Sequence, residues 1–539
     1  MSETPVVLSC RVEIVSESQP AQPATADGAV ERPISLLGMK SSTLAWGILV
    51  AALAISAVIR GVYTHQLVQS RLDGWNTTVN SDMWRFHHAA SFILGYENID
   101  AHPADRDTIY GQPRPQKGDV GWYDERGRCV QSPAFNFALA GLYKLTAPFV
   151  HARGQVLAAV AVNHLLGLLT IVLVFLFARK VWSGEVGALA ALLMALHVPI
   201  IFLSGFVLRE TLALFLLAAW LYQVARALER PTLVRWAVCG VLAALAALVR
   251  ENLILLGPYT ALLALLLSAH PWRRRIAAAA IATGCFLATC APVSAYNTSR
   301  AGEFVFVRKT PTTVWRHANS AVSWGGGGRF RTGTHQGWEQ AALPVTSPEF
   351  WSLQLRKSRL LIANDHIPNA APWNVFAEFC SVLRFRPVRF GHLFAFACAG
   401  VLALVLWDRR GLWTLPLAAI LAAVIVLFGP HSRLRIILVP LLAAAGSAGL
   451  VAAMVRAATA KRRLAYLAVV AVLITTQVFA QLGRTPKAAD WHMLARLRQR
   501  QGDLHAALEA CQRADRIQRI PETMFLRNQI LKTLQREPD

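Results

Sequence analysis

Charge is what this sequence has least of. Asp, Glu, Lys and Arg make up 16% of its 539 residues, against about 25% in an ordinary soluble domain. So few charges cannot clothe a water-soluble globule of this size. Paired cysteines are also missing. The eight cysteines form no CxxC pair, and Cys239, Cys285, Cys290 and Cys398 sit inside apolar runs. Neither a disulfide framework nor a zinc site is implied. The glycines Gly325–Gly328 are not followed by Gly-Lys-Ser/Thr, which excludes a phosphate-binding P-loop. The N-terminus lacks the basic, apolar and cleavage regions of a secretory signal. Residues 1–40, rich in Ser, Pro, Ala and acids, read as a mostly disordered cytoplasmic tail. Acids are scarcer than bases, 31 against 54, for a net charge of +23. The bases cluster in short segments between apolar runs, which is the positive-inside pattern rather than a nucleic-acid surface.

What is abundant is apolar side chain, 55% of the residues, with a mean hydropathy of +0.40. The bilayer is the solvent for that excess. The run from Ser42 to Ile59 reads as a first span. Further runs lie at 155–178, 186–204, 207–225, 233–249, 252–270, 275–295, 389–407, 412–428, 434–455 and 463–481. The fold class is therefore an all-α polytopic membrane protein of about 11 transmembrane helices, each near the ~20 residues a crossing needs. Pro133–Val150 contains Asn136, Tyr143 and Lys144 and reads as a helix lying on the membrane surface. With the N-terminus cytoplasmic, one set of loops holds Arg179/Lys180, Arg226/Arg230/Arg235, Arg273–Arg275, Asp408–Arg410 and Arg456/Lys461–Arg463. The other holds Arg209/Glu210, Arg250/Glu251 and His431/Arg433/Arg435. The first set is more basic and belongs in the cytoplasm. Making Pro133–Val150 a full span would spoil this sorting.

Within a transmembrane domain at 41–481, loops 60–153 and 296–388 then face outward, as does the tail 482–539. In the tail, Trp491, Leu494, Gly502, Asp503, Ala507 and Ala514 have the spacing of one tetratricopeptide repeat, a helical hairpin with Glu522–Gln535 as a cap. A single repeat does not stand alone, so it packs on the membrane domain or on a protein partner.

Several outward residues could carry chemistry. Asp82 opens an amphipathic stretch with Met83, Phe86, Ala90 and Ile93/Leu94 near helical spacing. It could be a general base, a metal ligand, or an acid favouring its own helix dipole. Glu210, in Val-Leu-Arg-Glu-Thr, adjoins an apolar run, where a carboxylate must be paired, hydrated or functional. Arg209 or Arg250 could pair with it. Arg433 and Arg435 suit a phosphate through their forked donors, or could snorkel to headgroups. Asp105-Arg-Asp107 has the spacing of an acidic metal pair, so a divalent ion is left open. The outward histidines His87, His88, His102, His335 and His366 show no ligand spacing. Asn76-Thr-Thr and Asn297-Thr-Ser fit the glycosylation acceptor pattern.

Taken in order, certain segments form a recognisable series. They are Asp82 after the anchor span, Ser132-Pro-Ala-Phe…Ala140-Gly-Leu-Tyr, Leu176-Phe-Ala-Arg-Lys-Val-Trp, Val207-Leu-Arg-Glu-Thr-Leu, Gly302-Glu-Phe-Val, Trp315…Asn319 and Arg433-Leu-Arg…Pro440. Over residues 40–480 the chain resembles the GT-C superfamily of membrane glycosyltransferases, in the branch of protein O-mannosyltransferases and lipid A aminoarabinose transferases. That resemblance implies a polyprenyl-phosphate sugar donor and a glycan, lipid or protein acceptor outside the cytoplasm, for a bacterial member at the periplasmic face of the inner membrane. It places Asp82 at the first-loop acid acting as base, Glu210 at the acid of the second outward loop, and Arg433 at the basic residue of the late loop, with Arg435 beside it as a second donor-phosphate ligand. One departure is Met83, where relatives often carry a second acid. A single base without an enzyme nucleophile implies inversion. Two other functions remain open: a transporter or flippase, for which mid-span polar groups and an internal repeat would be expected, and a scaffold acting through the tail.

Overall fold

The computed structural model describes residues 41–77, 82–94, 133–308, 311–321, 323, 341–364, 367, 371–385, 387–457, 459–479, 488–519 and 521–535. Among them there is no strand, only an isolated bridge between Ser320 and Ala342. The chain is an all-α polytopic membrane protein. Its membrane helices are α1 (Ser41–Gln69), α4 (Ala152–Val181), α5 and α6 (Gly184–Ala195, Val198–Ser204), α7 (Glu210–Glu229), α8 (Leu233–Val249), α9 (Leu256–Leu267), α10 (Trp272–Ala301), α14 (Phe390–Trp407), α15 (Thr414–Phe428), α16 and α17 (Ser432–Arg435, Val439–Arg456) and α18 (Ala460–Phe479). Every apolar run read from the sequence falls on one of these. Among the described residues, six helices are long and apolar enough to cross a bilayer, or seven with the bent pair α5–α6 taken as one span. α8, α9 and α15 are shorter apolar helices.

Burial separates lipid-facing helices from central ones. Only 28% of the apolar stretch of α1 and of α10 is buried in protein, against 94% for Ser432–Val455. The α16–α17 segment is the axis of the bundle. α17 meets α14 backbone to backbone, since a Cβ on Gly449 would lie 2.1 Å from Gly400 Cα. Such approach needs small residues on both helices. The α5–α6 pair bends by 56° at His197–Pro199, where a proline in the first turn of α6 removes a backbone donor.

The segments between the membrane helices gather at two ends of the bundle. At one end Lys180 meets Glu229 at 2.5 Å and Trp182 donates to Arg410 O at 2.9 Å. At the other, the three long non-membrane segments meet. Gln66 Nε2 donates to Ser381 Oγ at 2.8 Å, Gln501 Nε2 to Arg71 O at 2.6 Å, and Arg513 pairs with Glu378 at 2.5 Å.

The amphipathic stretch after Asp82 is α2 (Asp82–Ile93), which buries Met83, Phe86 and Ala90. α3 (Pro133–Thr146) has 14 residues. At ~1.5 Å per residue it cannot cross a ~30 Å core, and it packs against α2. The 296–388 loop contributes α11 (Pro311–Asn319), α12 (Pro348–Ile362) and α13 (Trp373–Phe379). The tail forms α19 (Ala488–Arg500), α20 (Leu504–Ile517) and α21 (Pro521–Leu534). Gly502 takes φ +75° in the tight turn, and Asp503 caps α20 by accepting from Ala506 N at 3.0 Å. The first apolar helix runs past Ile59 to Gln69, with Tyr63 and Leu67 buried against protein. This brings a buried Arg60 into the helix, donating to Ser56 Oγ at 2.8 Å.

Candidate active site

Two Arg-Glu doublets set the site. Arg209-Glu210 opens α7 and Arg250-Glu251 follows α8. The two helices pack side by side, which brings both doublets to one level, where they exchange partners. Arg250 Nη1 donates to Glu210 Oε1 at 2.7 Å, with both side chains almost fully buried. Arg209 holds Glu251 through two bonds of 2.7 and 3.1 Å. Arg308, just beyond α10, joins Glu251 at 2.5 Å.

Asp82 and Arg433 complete the cluster. Arg433 Nη1 bonds Asp82 Oδ2, and its Nε lies 3.3 Å from Glu210 Oε1. One guanidinium thus bridges the two acids singled out in the sequence. Arg433 is 14% exposed and Asp82 34%, so this corner of the cluster is accessible. Burial acts to raise the Asp82 carboxyl pKa, but Arg433, Arg85 and Arg209 outweigh it and hold the group well below the usual carboxylate range. Among the described residues, five arginines (Arg85, Arg209, Arg250, Arg308, Arg433) and three carboxylates gather here, at the end of the bundle where the long non-membrane segments meet.

The structure does not bring Arg435 to this cluster. Residues two apart on a helix face different ways. The Arg435 guanidinium turns instead to Leu360 O, Leu361 O and Ala363 O at 2.7–3.3 Å and lies over Phe390. The Trp315…Asn319 segment is scaffold. Asn319 Oδ1 accepts from Gln354 and Lys357, both at 2.8 Å, and Asn319 Nδ2 donates to Trp315 O and Leu427 O. Neither glycosylation pattern presents an accessible asparagine. Asn76 is buried, donating to Gly205 O and accepting from Val207 N. Asn297 is buried and donates to Val307 O.

A divalent ion finds no ready ligand set among the described residues, where no three His, Cys, Asp or Glu groups converge. Asp82, Glu210 and Glu251 are each held by arginine. The Asp105/Asp107 pair, Gly325–Gly328, His102, His335, His366 and the N-terminal tail lie outside the described residues. Arg85, Glu251 and Arg308 are the members that sequence reasoning did not single out. The repeated Arg-Glu doublet at the ends of neighbouring apolar runs was the signal for Glu251, and helical spacing from Asp82 was the signal for Arg85; Arg308 left none.

Residues 131–296 match the family model of dolichyl-phosphate-mannose-protein mannosyltransferases. The match spans α3 to most of α10 and includes both doublets. No curated protein sequence matches the chain. Among solved structures, it is similar to the Archaeoglobus fulgidus oligosaccharyltransferase complexed with Zn and sulfate, at 14% identity and a TM-score of 0.46, covering 88% of this chain and 57% of that one. It is also similar to AglB from the same organism, in complex with an inhibitory peptide and a dolichol-phosphate, at 13% identity and a TM-score of 0.42, covering 89% and 60%. This chain therefore spans less than two thirds of the length of either.

Proposed function

We propose that this chain is a glycosyltransferase of the GT-C kind that takes a sugar from a polyprenyl-phosphate donor and passes it to an acceptor on the non-cytoplasmic face. The observation that carries this reading is the bridge Asp82–Arg433–Glu210 within a cluster of arginines and carboxylates. The mannosyltransferase family match over 131–296 supports it independently.

In this reading Arg433 is both the phosphate ligand and the restraint on the base. While it pairs with Asp82, that carboxylate is a poor base. An arriving donor phosphate competes for the guanidinium, and Asp82 regains basicity as it loses its partner. Asp82 then takes the proton of the acceptor hydroxyl or amine as the acceptor atom bonds the anomeric carbon. The carbon–oxygen bond to phosphate breaks, and its electron pair stays on the phosphate oxygen, stabilised by Arg433. Attack opposite the leaving phosphate inverts the anomeric centre. Glu210 fixes Arg433 from behind and is itself neutralised by Arg250. The domain from 41 to 481 carries the reaction, the α19–α21 hairpin outside it holds a protein partner, and in a bacterium the active face is periplasmic.

Reconstitution in sealed vesicles with a labelled polyprenyl-phosphate sugar and candidate hydroxyl and amine acceptors tests the reading. Label should move covalently to an acceptor with release of polyprenyl phosphate. Label crossing the membrane with the sugar–phosphate bond intact would make the protein a flippase. Neither transfer nor flux, with a phenotype lost on deleting 485–539, would make it a scaffold.

A further inference from the structure

The α19–α20 hairpin meets the rest of the chain at two places. One is the turn that follows α1. Gln501 Nε2 donates to Arg71 O at 2.6 Å. Arg498 Nη1 donates to Gln501 Oε1 at 3.2 Å, which fixes the way the amide faces. Arg71 has a φ of +54°, the only positive φ outside glycine among the described residues. That conformation is unfavourable for a residue with a side chain, and it persists where neighbours hold it. The other place is the end of α13, where Arg498 lies over the Phe379 ring and Arg513 pairs with Glu378.

Both places lead to one stretch, Gly205–Leu208, which joins α6 to Arg209-Glu210. This stretch is not helical, and Phe206, Val207 and Leu208 are fully buried. Its backbone groups therefore need partners from elsewhere. Just after Arg71 the chain makes a short 3-10 helix, Leu72–Thr77. Asn76 in that helix accepts from Val207 N at 2.7 Å and donates to Gly205 O at 3.3 Å. On α13, the Phe376 ring meets Phe206 at 5.4 Å and Trp75 of the 3-10 helix at 5.2 Å. The two elements that hold Gly205–Leu208 in this way are the two that the hairpin braces.

We propose that Gln501 and the hairpin that carries it are a positioning element of the active site. Docked, the hairpin keeps Leu72–Thr77 and α13 against Gly205–Leu208, and so keeps Glu210 in place against Arg433. Its effect on the rate of sugar transfer rests on the glycosyltransferase reading. Its effect on the Gly205–Leu208 backbone does not.

The test uses the full chain in phosphatidylcholine nanodiscs and loosens the contact from each side. A Cβ on Gly74 would lie 3.0 Å from Gln501 Nε2 and 3.3 Å from Leu497 Cδ1, so Gly74→Leu wedges the hairpin away. Gln501→Glu keeps the size of the side chain but removes the donor to Arg71 O. Gly74→Leu combined with Leu497→Ala gives the space back. Trypsin cleavage after Arg498, a buried arginine, reports undocking. Amide exchange in the peptide that contains Val207 reports the backbone before Arg209. Both single variants should speed that exchange and lower kcat by about two- to thirty-fold, the range for substitutions along a coupled path. The Gly74→Leu/Leu497→Ala protein should return both towards wild type, which a general loss of folding would not do. Faster cleavage at Arg498 with unchanged exchange at Val207 would overturn the proposal. So would a wild-type kcat in a variant whose exchange has risen. If wild type transfers no sugar but the exchange pattern is as expected, the glycosyltransferase reading fails and the hairpin remains the brace of Arg209-Glu210.

Discussion

Replacing Arg250 with Met should damage the protein far more than replacing the whole Arg250–Glu210 pair. Arg250 is 2% exposed and Glu210 1%, with 2.7 Å between donor and acceptor. Charges about 4 Å apart attract by roughly 4 kcal/mol at an effective dielectric near 20. Removing one member of such a buried pair costs about 3–5 kcal/mol, mostly because the other is left without compensation. Glu210 would keep Arg433 at 3.3 Å, but Arg433 is shared with Asp82, so that contact offsets little. The double variant Arg250→Met/Glu210→Leu fills the space with apolar atoms and should recover most of the loss. Reversible SDS titration in mixed micelles reads the stabilities of wild type, both single variants and the double. A parallel transfer assay separates the roles, since the recovered double variant should still be slow if Glu210 positions Arg433. A loss below about 1 kcal/mol for Arg250→Met would refute the reasoning, because a pair that cheap to break is solvated. A double variant no more stable than the single would refute it equally.

Other outcomes follow from neighbouring features. Lys357 on α12 is buried, and burial pushes its ammonium pKa down to about 7. Between there and its ordinary value the unfolded chain binds the extra proton, so stability rises with pH across that window, by up to about 5 kcal/mol. Lys357→Met should abolish this rise and be more stable than wild type below pH about 7, because Asn319 Oδ1 and Leu427 O keep other donors; denaturation at several pH values checks it. Gly449→Val should prevent α14 and α17 from closing, while Gly284→Ala, which meets nothing within 4 Å, should leave yield and monodispersity unchanged in size-exclusion profiles. Asn76→Ala should orphan Val207 N and loosen the segment before Arg209, at about 1–3 kcal/mol, and Asn76 should carry no glycan in mass spectra.

Local pattern sufficed for some elements. The apolar runs on α1 through α18 needed only length and composition. A loop-charge argument predicted that Pro133–Val150 does not cross, and the 14 residues of α3 are too few to cross. Asp82 at the head of α2 and the hairpin turn at Gly502 were legible from helix periodicity and one glycine. What local pattern could not supply is partner choice. Asp82 and Arg433 are 351 residues apart, and no spacing rule links them. The same holds for the exchanged doublets, where each glutamate takes the arginine of the other helix rather than its own neighbour. Arg433 and Arg435 read as twins because charge counts ignore direction, whereas on one short helix they face different neighbours. The helix that carries the first apolar run continues to Gln69, ten residues beyond the run, because helix length and apolar length are set by different interactions.

The central claim is that Asp82 removes the acceptor proton while Arg433 holds the donor phosphate. The most direct test compares wild type with Asp82→Asn, measuring donor affinity and sugar transfer on the same reconstituted preparation. Transfer should fall by about 10²–10⁴, the usual worth of a general base. Donor affinity should be unchanged or tighter, because the neutral amide no longer competes with the donor phosphate for Arg433. Transfer at the wild-type rate by the Asp82→Asn protein would contradict the claim.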